Sequence, residues 1–181
     1  LLNYYEIEKY IQSLSKSKYA KSTVNRKIVS ISSFFSWCIN KKKLNIKDIK
    51  QIKNIKTERK LPTILTSNYI NNLLDTIPTS TSKEIRDRTI IEILYSSGLR
   101  VSELTNLKVN DFKNNKSLKV LGKGNKTRIL PMTDKSFNYM NLWISKYRSE
   151  YKNQKSGNYI FLGVRGGKIS DREIQRIVNL R

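Results

Sequence analysis

Histidine is missing from this sequence altogether. That removes Ser-His-Asp chemistry, His-ligated metals and the commonest general base. Any catalysis must rest on Arg, Lys, Tyr, Ser or carboxylates. Cysteine occurs once, as Cys38, which excludes an internal disulfide and a cysteine-based zinc site. Cys38 lies in an apolar helical row and reads as a buried structural thiol rather than a nucleophile. No metal and no cofactor is expected. Only 3 prolines and 7 glycines in 181 residues argue against a loop-rich or disordered chain. No continuous apolar run long enough to span a bilayer occurs, and no signal-peptide pattern is present. Acidic residues are scarce: 14 Asp and Glu face 36 Lys and Arg, a formal charge of +22. A folded chain this basic repels itself unless a polyanion neutralises it. Nucleic acid is therefore the leading partner, with an anionic membrane surface second. Heavy use of Lys, Asn and Ile fits an AT-biased genome and accounts for part of the lysine. The shortage of acids keeps the surplus real.

What is there suffices for one domain or two small ones, with 38% hydrophobic residues to build a core. Residues 2 to 14 read as an amphipathic helix with Ile7, Tyr10, Ile11 and Leu14 on one side. Lys16 to Lys21 is a polar connector, and Ser22 is expected to cap the next helix. There Val24, Ile28, Ile31, Phe35 and Cys38 recur at steps of four and three, a buried stripe that Phe34 and Trp37 widen. The opposite face of its first turns carries Lys21, Asn25, Arg26 and Lys27. An amide-rich, basic helix start with an apolar back suits the major groove or its flanking phosphates. An ordinary solvated face is the plainer alternative.

Residues 41 to 60 hold nine Lys or Arg and two acids. A short helix is expected early in this run, and its later part, up to Pro62, reads as an interdomain linker. Beyond it Thr66 caps a helix carrying Ile70, Leu73, Leu74 and Ile77, closed by Pro78. Thr81 and Glu84 have capping-box spacing and open a helix that ends at Gly98. From Ser117 to Met132 the period changes. Leu118, Val120, Thr127, Ile129 and Pro131 alternate with Lys119, Leu121, Arg128 and Leu130 around Gly122-Lys123-Gly124-Asn125, a β-hairpin. Thr133 or Asp134 starts another helix with Phe137, Met140, Ile144, Tyr147 and Tyr151 on one side. Tyr159 to Leu162 is a short strand or extended piece, and Arg165-Gly166-Gly167 is a turn. Ser170 and Glu173 form a second capping box.

The most informative stretch is Leu94-Tyr95-Ser96-Ser97-Gly98-Leu99-Arg100-Val101-Ser102-Glu103-Leu104. It reads as a helix, a break with Gly98 in the left-handed C-terminal position, and a second short helix anchored by Leu99, Val101, Leu104 and Leu107. Arg100 sits between those anchors on a rigid, partly buried base, with Glu103 in reach along the second helix. A planar, always-charged fork held this way suits a phosphate. A structural Arg–Glu pair at a helix junction is the other reading. Lys123, at the hairpin tip between two glycines, can approach a ligand closely and deliver a proton, or stand as a solvated turn lysine. Lys126 and Arg128 thicken its positive patch. The glycine–lysine order is not that of a P-loop.

Leu94 to Leu107, Leu-Gly-Lys-Gly-Asn-Lys-Thr-Arg-Ile-Leu-Pro at 121 to 131, and Ile-Phe-Leu-Gly-Val-Arg-Gly-Gly-Lys-Ile-Ser at 160 to 170 occur in that order. Together they resemble the tyrosine site-specific recombinases, the Xer and phage-integrase superfamily. The Ser22 to Trp37 helix resembles that family's core-binding domain. The resemblance implies a mainly α fold with a small β-hairpin or sheet (α+β). A helical core-binding domain (1–56) and a linker (57–62) would precede an incomplete recombinase catalytic domain (63–181). It implies site-specific recombination of double-stranded DNA. A tyrosine attacks the phosphate, forms a 3′-phosphotyrosyl link and releases a 5′-hydroxyl, with no metal or nucleotide consumed. By the same resemblance Arg100 contacts the scissile phosphate, Lys123 is general acid on the departing 5′-hydroxyl, and Glu103 supports the site. The DNA-binding set would be Ser22, Asn25, Arg26, Lys27, Lys126, Arg128 and Arg165. Other recombinase subunits, in a tetramer on two DNA sites, are the implied protein partners, and the cytoplasmic nucleoid the implied location.

The sequence departs from the family in lacking its later His-x-x-Arg motif and a tyrosine in the nucleophile's context. With no initiating Met and an end within a helix pattern, the chain reads as a truncated piece that binds DNA without cleaving it. A recombinase relative without chemistry is the alternative, as is a mobile-element integrase rather than an Xer-type enzyme. A basic RNA-binding protein is a third reading, which leaves the Gly-Leu-Arg and Gly-Lys-Gly-Asn segments without a reason.

Overall fold

The computed structural model describes residues 4–41 and 64–180, with the side chains of Tyr4, Ser15 and Lys123 outside the described set. The expected helix and linker between residues 42 and 62 therefore lie outside the described residues. The chain divides into two compact units, Leu1–Thr63 and Ile64–Arg181.

In the first unit, α1 (Tyr4–Lys16) and α2 (Lys21–Asn40) pack through their apolar stripes. Ile7 and Phe35 form one cluster with Ile11, Ile31 and Ile39 at its edge, and Leu14, Val24 and Ile28 form another. The four-and-three recurrence along α2 thus marks the buried face. Three expectations fail here. Tyr10 is 46% exposed, Phe34 57% and Trp37 49%, so the aromatic widening of the stripe points outward. Phe34 and Trp37 stack on each other instead, with ring centroids 6.4 Å apart. Their size suggested core, but at 3.6 residues per turn they fall off the Ile28–Phe35 row. Ser22 does not cap α2. The N-cap is Ala20, without a side-chain bond, and Ser22 lies one residue inside the helix.

The second unit is built around α4 (Ser82–Ser97), preceded by α3 (Ser67–Asp75). Thr66 caps α3 by accepting the amide of Tyr69, and Thr81 and Glu84 close a reciprocal box at the start of α4. The α4 helix ends at Gly98, whose φ of 60° is left-handed. Removal of Cβ clash is why glycine serves there. A short α5 (Val101–Thr105) follows at once. Ile85, Ile90 and Ile93 of α4 meet Leu99, Leu104 and Leu107 in one core, together with Leu118, Val120, Met140, Trp143, Ile160 and Phe161.

A three-stranded antiparallel sheet covers part of this core, in the order β1 (Phe112–Lys113), β2 (Ser117–Leu121), β3 (Thr127–Pro131). The hairpin is as expected, and β1 is an addition to it. One phase is wrong. Val120 pairs with Arg128 and Leu118 with Leu130, so these residues share the inner face. Ile129 is 70% exposed on the outer face. The sequence pattern grouped Ile129 with Leu118 and Val120 by hydrophobicity, but the register that the turn imposes decides the face.

After β3, Thr133 caps α6 (Asp134–Leu142). A π-turn, Trp143–Tyr147, leads into α7 (Arg148–Tyr151). Residues 159 to 162 are extended but form isolated bridges, Lys108 to Tyr159 and Leu162 to Lys168, rather than a strand. Ser170 caps α8 (Asp171–Asn179) by accepting the Glu173 amide. The reciprocal half of that box is not made through Glu173, whose carboxylate turns to Arg86 at 3.1 Å. No described helix is long and apolar enough to cross a membrane.

Candidate phosphate-binding site at the α5 N-terminus

The left-handed turn at Gly98 and the burial of Leu99 and Leu104 leave Arg100 as the N-cap of α5. Its backbone is fixed on both sides, yet its side chain is 70% exposed. The expected partly buried base is thus a buried backbone anchor carrying a projecting guanidinium. Glu103, one turn on, is buried among the same apolar residues.

The Glu103 carboxylate collects four donors. The backbone N–H and Nη1 of Arg100 each donate at 2.9 Å, to Oε2 and Oε1 respectively. Arg128 Nη1 and Nη2 donate to Oε1 and Oε2, also at 2.9 Å, a bidentate fork. The Arg128 fork acts first, followed by the Arg100 bonds, and together they outweigh burial and hold the Glu103 carboxyl down to about 2. The same pairing raises the Arg128 guanidinium above its ordinary value. Two fixed cations and one fixed anion leave a net positive charge. Arg100 spends one side-chain N–H on Glu103 and projects the rest outward, the geometry of an anion clamp. A buried carboxylate that stays ionised orients that clamp and takes no proton at neutral pH.

The hairpin tip adjoins this cluster. Gly122 N–H bonds Lys126 O at 2.8 Å, and the one-turn helix Lys123–Asn125 follows, with left-handed Gly124 and Asn125. A Cβ added at Gly122 would sit 2.9 Å from Arg128 Nη1 and 3.7 Å from Glu103 Oε1. A side chain here would press on the Arg128 end of the Glu103 fork. Lys126 is exposed beside the turn. Beyond Glu103, Asn106, Lys108, Lys119, Thr127 and Tyr159 line a groove of about 450 Å³.

The structure therefore brings Arg100, Glu103 and Arg128 together, with the backbone of Lys123 on the adjoining turn. Arg165 stands elsewhere, exposed in the turn that begins at Gly163 and lining a second groove with Lys168, Glu173 and Arg176. Ser22, Asn25, Arg26 and Lys27 belong to the first unit. Ser22 and Arg26 are exposed, Asn25 and Lys27 half-buried. Lys27 Nζ lies 4.5 Å over the Tyr19 ring. In the sequence Arg128 reads as part of the positive patch around Lys123. Its alternation with Leu130, on the strand opposite Val120, was the available signal that it faces inward.

Residues 63–180 match the family model described as the phage integrase family. Tyrosine recombinase XerC of Staphylococcus epidermidis is 31% identical over 179 residues, covering 97% of this chain and 59% of that protein. Tyrosine recombinase XerC of Actinobacillus pleuropneumoniae serotype 7 is 35% identical over 168 residues, covering 92% of this chain and 53% of that protein. Among solved structures, the XerH site-specific recombinase bound to palindromic difH substrate, a post-cleavage complex, shares the fold. Its TM-score is 0.71 at 21% identity, with 99% of this chain and 53% of that one covered. The chain spans 53% to 59% of the length of these relatives.

Proposed function

The chain belongs to the phage integrase family, and from that membership we infer that it carries part of the machinery of a site-specific recombinase acting on double-stranded DNA. The observation that carries this reading is the Arg100 clamp. An exposed guanidinium is held at 2.9 Å by a buried carboxylate that a second arginine keeps ionised. Such a fork binds the non-bridging oxygens of a phosphodiester and stabilises the charge that builds on them at the transition state. Lys123, on the hairpin beside it, then supplies the proton to the departing 5′-oxygen. The attacking tyrosine hydroxyl comes from outside these 181 residues, whose tyrosines do not match the family's nucleophile context.

In this reading, residues 1–56 form the core-binding domain, 57–62 the linker and 63–181 the N-terminal part of the catalytic domain. Ser22, Asn25, Arg26 and Lys27 contact the duplex from α2, and Lys126 and Arg165 from the catalytic side. Other recombinase subunits complete the assembly on two DNA sites. The XerC relatives favour an Xer-type enzyme over a mobile-element integrase. Such an enzyme works where chromosomal DNA is, in the cytoplasm at the nucleoid.

The test is incubation of the protein, as encoded in full, with a nicked duplex that traps the covalent intermediate, followed by denaturing electrophoresis. The expected result is a protein–DNA band that Arg100→Ala abolishes while duplex binding survives. These 181 residues alone should bind duplex and yield no such band. A full-length protein that binds its site and never forms the band, with any partner recombinase supplied, overturns the catalytic reading.

A further inference from the structure

Glu103 is one carboxylate serving two elements. Its Oε1 and Oε2 take a bond each from Arg100, on the N-terminus of α5, and a bond each from Arg128, on β3. Arg128 spends both terminal nitrogens on this contact. Its strand leads directly from the turn that carries Lys123, and Gly122 at the other side of that turn packs so closely that an added Cβ would lie 2.9 Å from Arg128 Nη1. We propose that Arg128 is a positioning residue that fixes the hairpin turn carrying Lys123 against the Arg100 clamp, rather than a DNA contact in its own right. This deepens, and rests on, the recombinase reading of the site.

The division of labour follows from the bonds. Arg100 keeps its own two contacts with Glu103 when Arg128 is lost, so the phosphate side of the site survives. The hairpin loses its only bidentate tie to α5 among the described contacts, so the leaving-group side loosens. In the cleavage step, the attacking tyrosine oxygen bonds to phosphorus and its proton passes to solvent water. The P–O5′ bond breaks, and a proton passes from the Lys123 ammonium to O5′. If the bridging O5′ is replaced by sulfur, the leaving group is a thiolate. A thiol of pKa about 8.5 departs without needing that proton. A defect confined to the leaving-group side is therefore repaired by the sulfur substrate, and a defect in the phosphate clamp is not.

The experiment has two readouts. The first is amide hydrogen exchange of residues 122–126 in the protein without DNA. Arg128→Ala should accelerate it by about tenfold while leaving α4 protected. The second is cleavage by the protein as encoded in full. Arg128→Ala should lose about a hundredfold on the ordinary phosphodiester and regain most of it on the 5′-bridging phosphorothiolate. Glu103→Gln, which disturbs both arginines, should not be rescued to the same degree. Gly122→Ala, which displaces Arg128 without removing it, should reproduce the Arg128→Ala pattern and guards against a folding artefact. Unchanged exchange in the hairpin overturns the proposal whatever the cleavage result. So does an Arg128→Ala defect equal on both substrates. A wild-type protein that never cleaves, with hairpin exchange nonetheless faster in Arg128→Ala, overturns the recombinase reading and leaves the structural coupling standing.

Discussion

Arg128 reaches across 25 positions of sequence to grip both oxygens of Glu103 at 2.9 Å, the same carboxylate that receives the backbone N–H of Arg100. A hairpin strand and a helix start are thereby joined through a single ionised side chain. Burial alone would push a carboxyl up, and the bonds from the two arginines outweigh it.

That depression gives the first prediction a sign. The Glu103 carboxyl titrates near 2 in the folded protein and near 4.5 when unfolded. Its contribution is fully present above the unfolded value and is lost as pH falls from there toward 2. Urea denaturation followed by circular dichroism should show stability dropping over that window. In Glu103→Gln the drop should be shallower, from a neutral-pH stability lowered by about 1–3 kcal/mol.

Gly98→Ala isolates a backbone effect. Its φ is 60°, and nothing lies within 4 Å of an added Cβ. The cost is left-handed strain alone, about 1 kcal/mol, and Gly98→Asn should cost less. Thermal melts of the three proteins in parallel would show the order glycine, asparagine, alanine.

Gly166→Ala combines strain with a collision. Its φ is 76°, and the new Cβ would lie 2.1 Å from Asn153 Nδ2. That amide donates to Arg165 O at 2.9 Å, so moving it breaks a bond. The loss should exceed that of Gly98→Ala, at about 2 kcal/mol or more. In a double-mutant cycle, Asn153→Ala should recover part of it, giving clear non-additivity.

Arg86 is a fully embedded charge. It is 1% exposed, bonds Asp87 through Nε and Nη2, and donates to Leu162 O at 3.0 Å. Arg86→Met leaves Glu173 without this cation, leaves Asp87 with Lys83 at 3.5 Å, and releases the 162 segment from α4. A loss of about 3–5 kcal/mol is expected, enough to unfold the second unit near body temperature. Thr81→Ala, which removes one exposed cap, should cost only about 1 kcal/mol by the same melt.

Punctuation was the most legible part of this sequence. Thr66, Thr81 with Glu84, Gly98 and Thr133 each do locally what their residue types favour, because a cap or a left-handed turn involves neighbours only. The apolar row of α2 was legible for the same reason. The misreadings are tertiary. Nor does local pattern reveal that Arg86, Arg88 and Glu92 are buried, which follows because α4 is enclosed and its charges neutralise one another. Phe34 and Trp37 have core chemistry and lie outside. At the site, Arg100 and Glu103 were visible as helix neighbours. Arg128 was not tied to them, since no local pattern gives the register of two strands against a helix. Glu173 was assigned to its own helix cap and is instead used by Arg86.

The π-turn between α6 and α7 has a consequence for how this chain tolerates insertion and deletion. Arg148 N–H bonds Trp143 O, five residues back. That wide loop lets Trp143 Nε1 donate to Ile160 O while Arg148 Nε donates to Tyr159 O, adjacent carbonyls on one extended segment. In a regular α-helix, positions five apart diverge by about 140° around the axis. Removing one residue from 144–147 would restore regular winding and place Arg148 four positions after Trp143, about 40° around the axis, still on the face that meets the extended segment. The turn thus absorbs one residue beyond regular winding, and the chain should accept a single deletion there more readily than a second insertion.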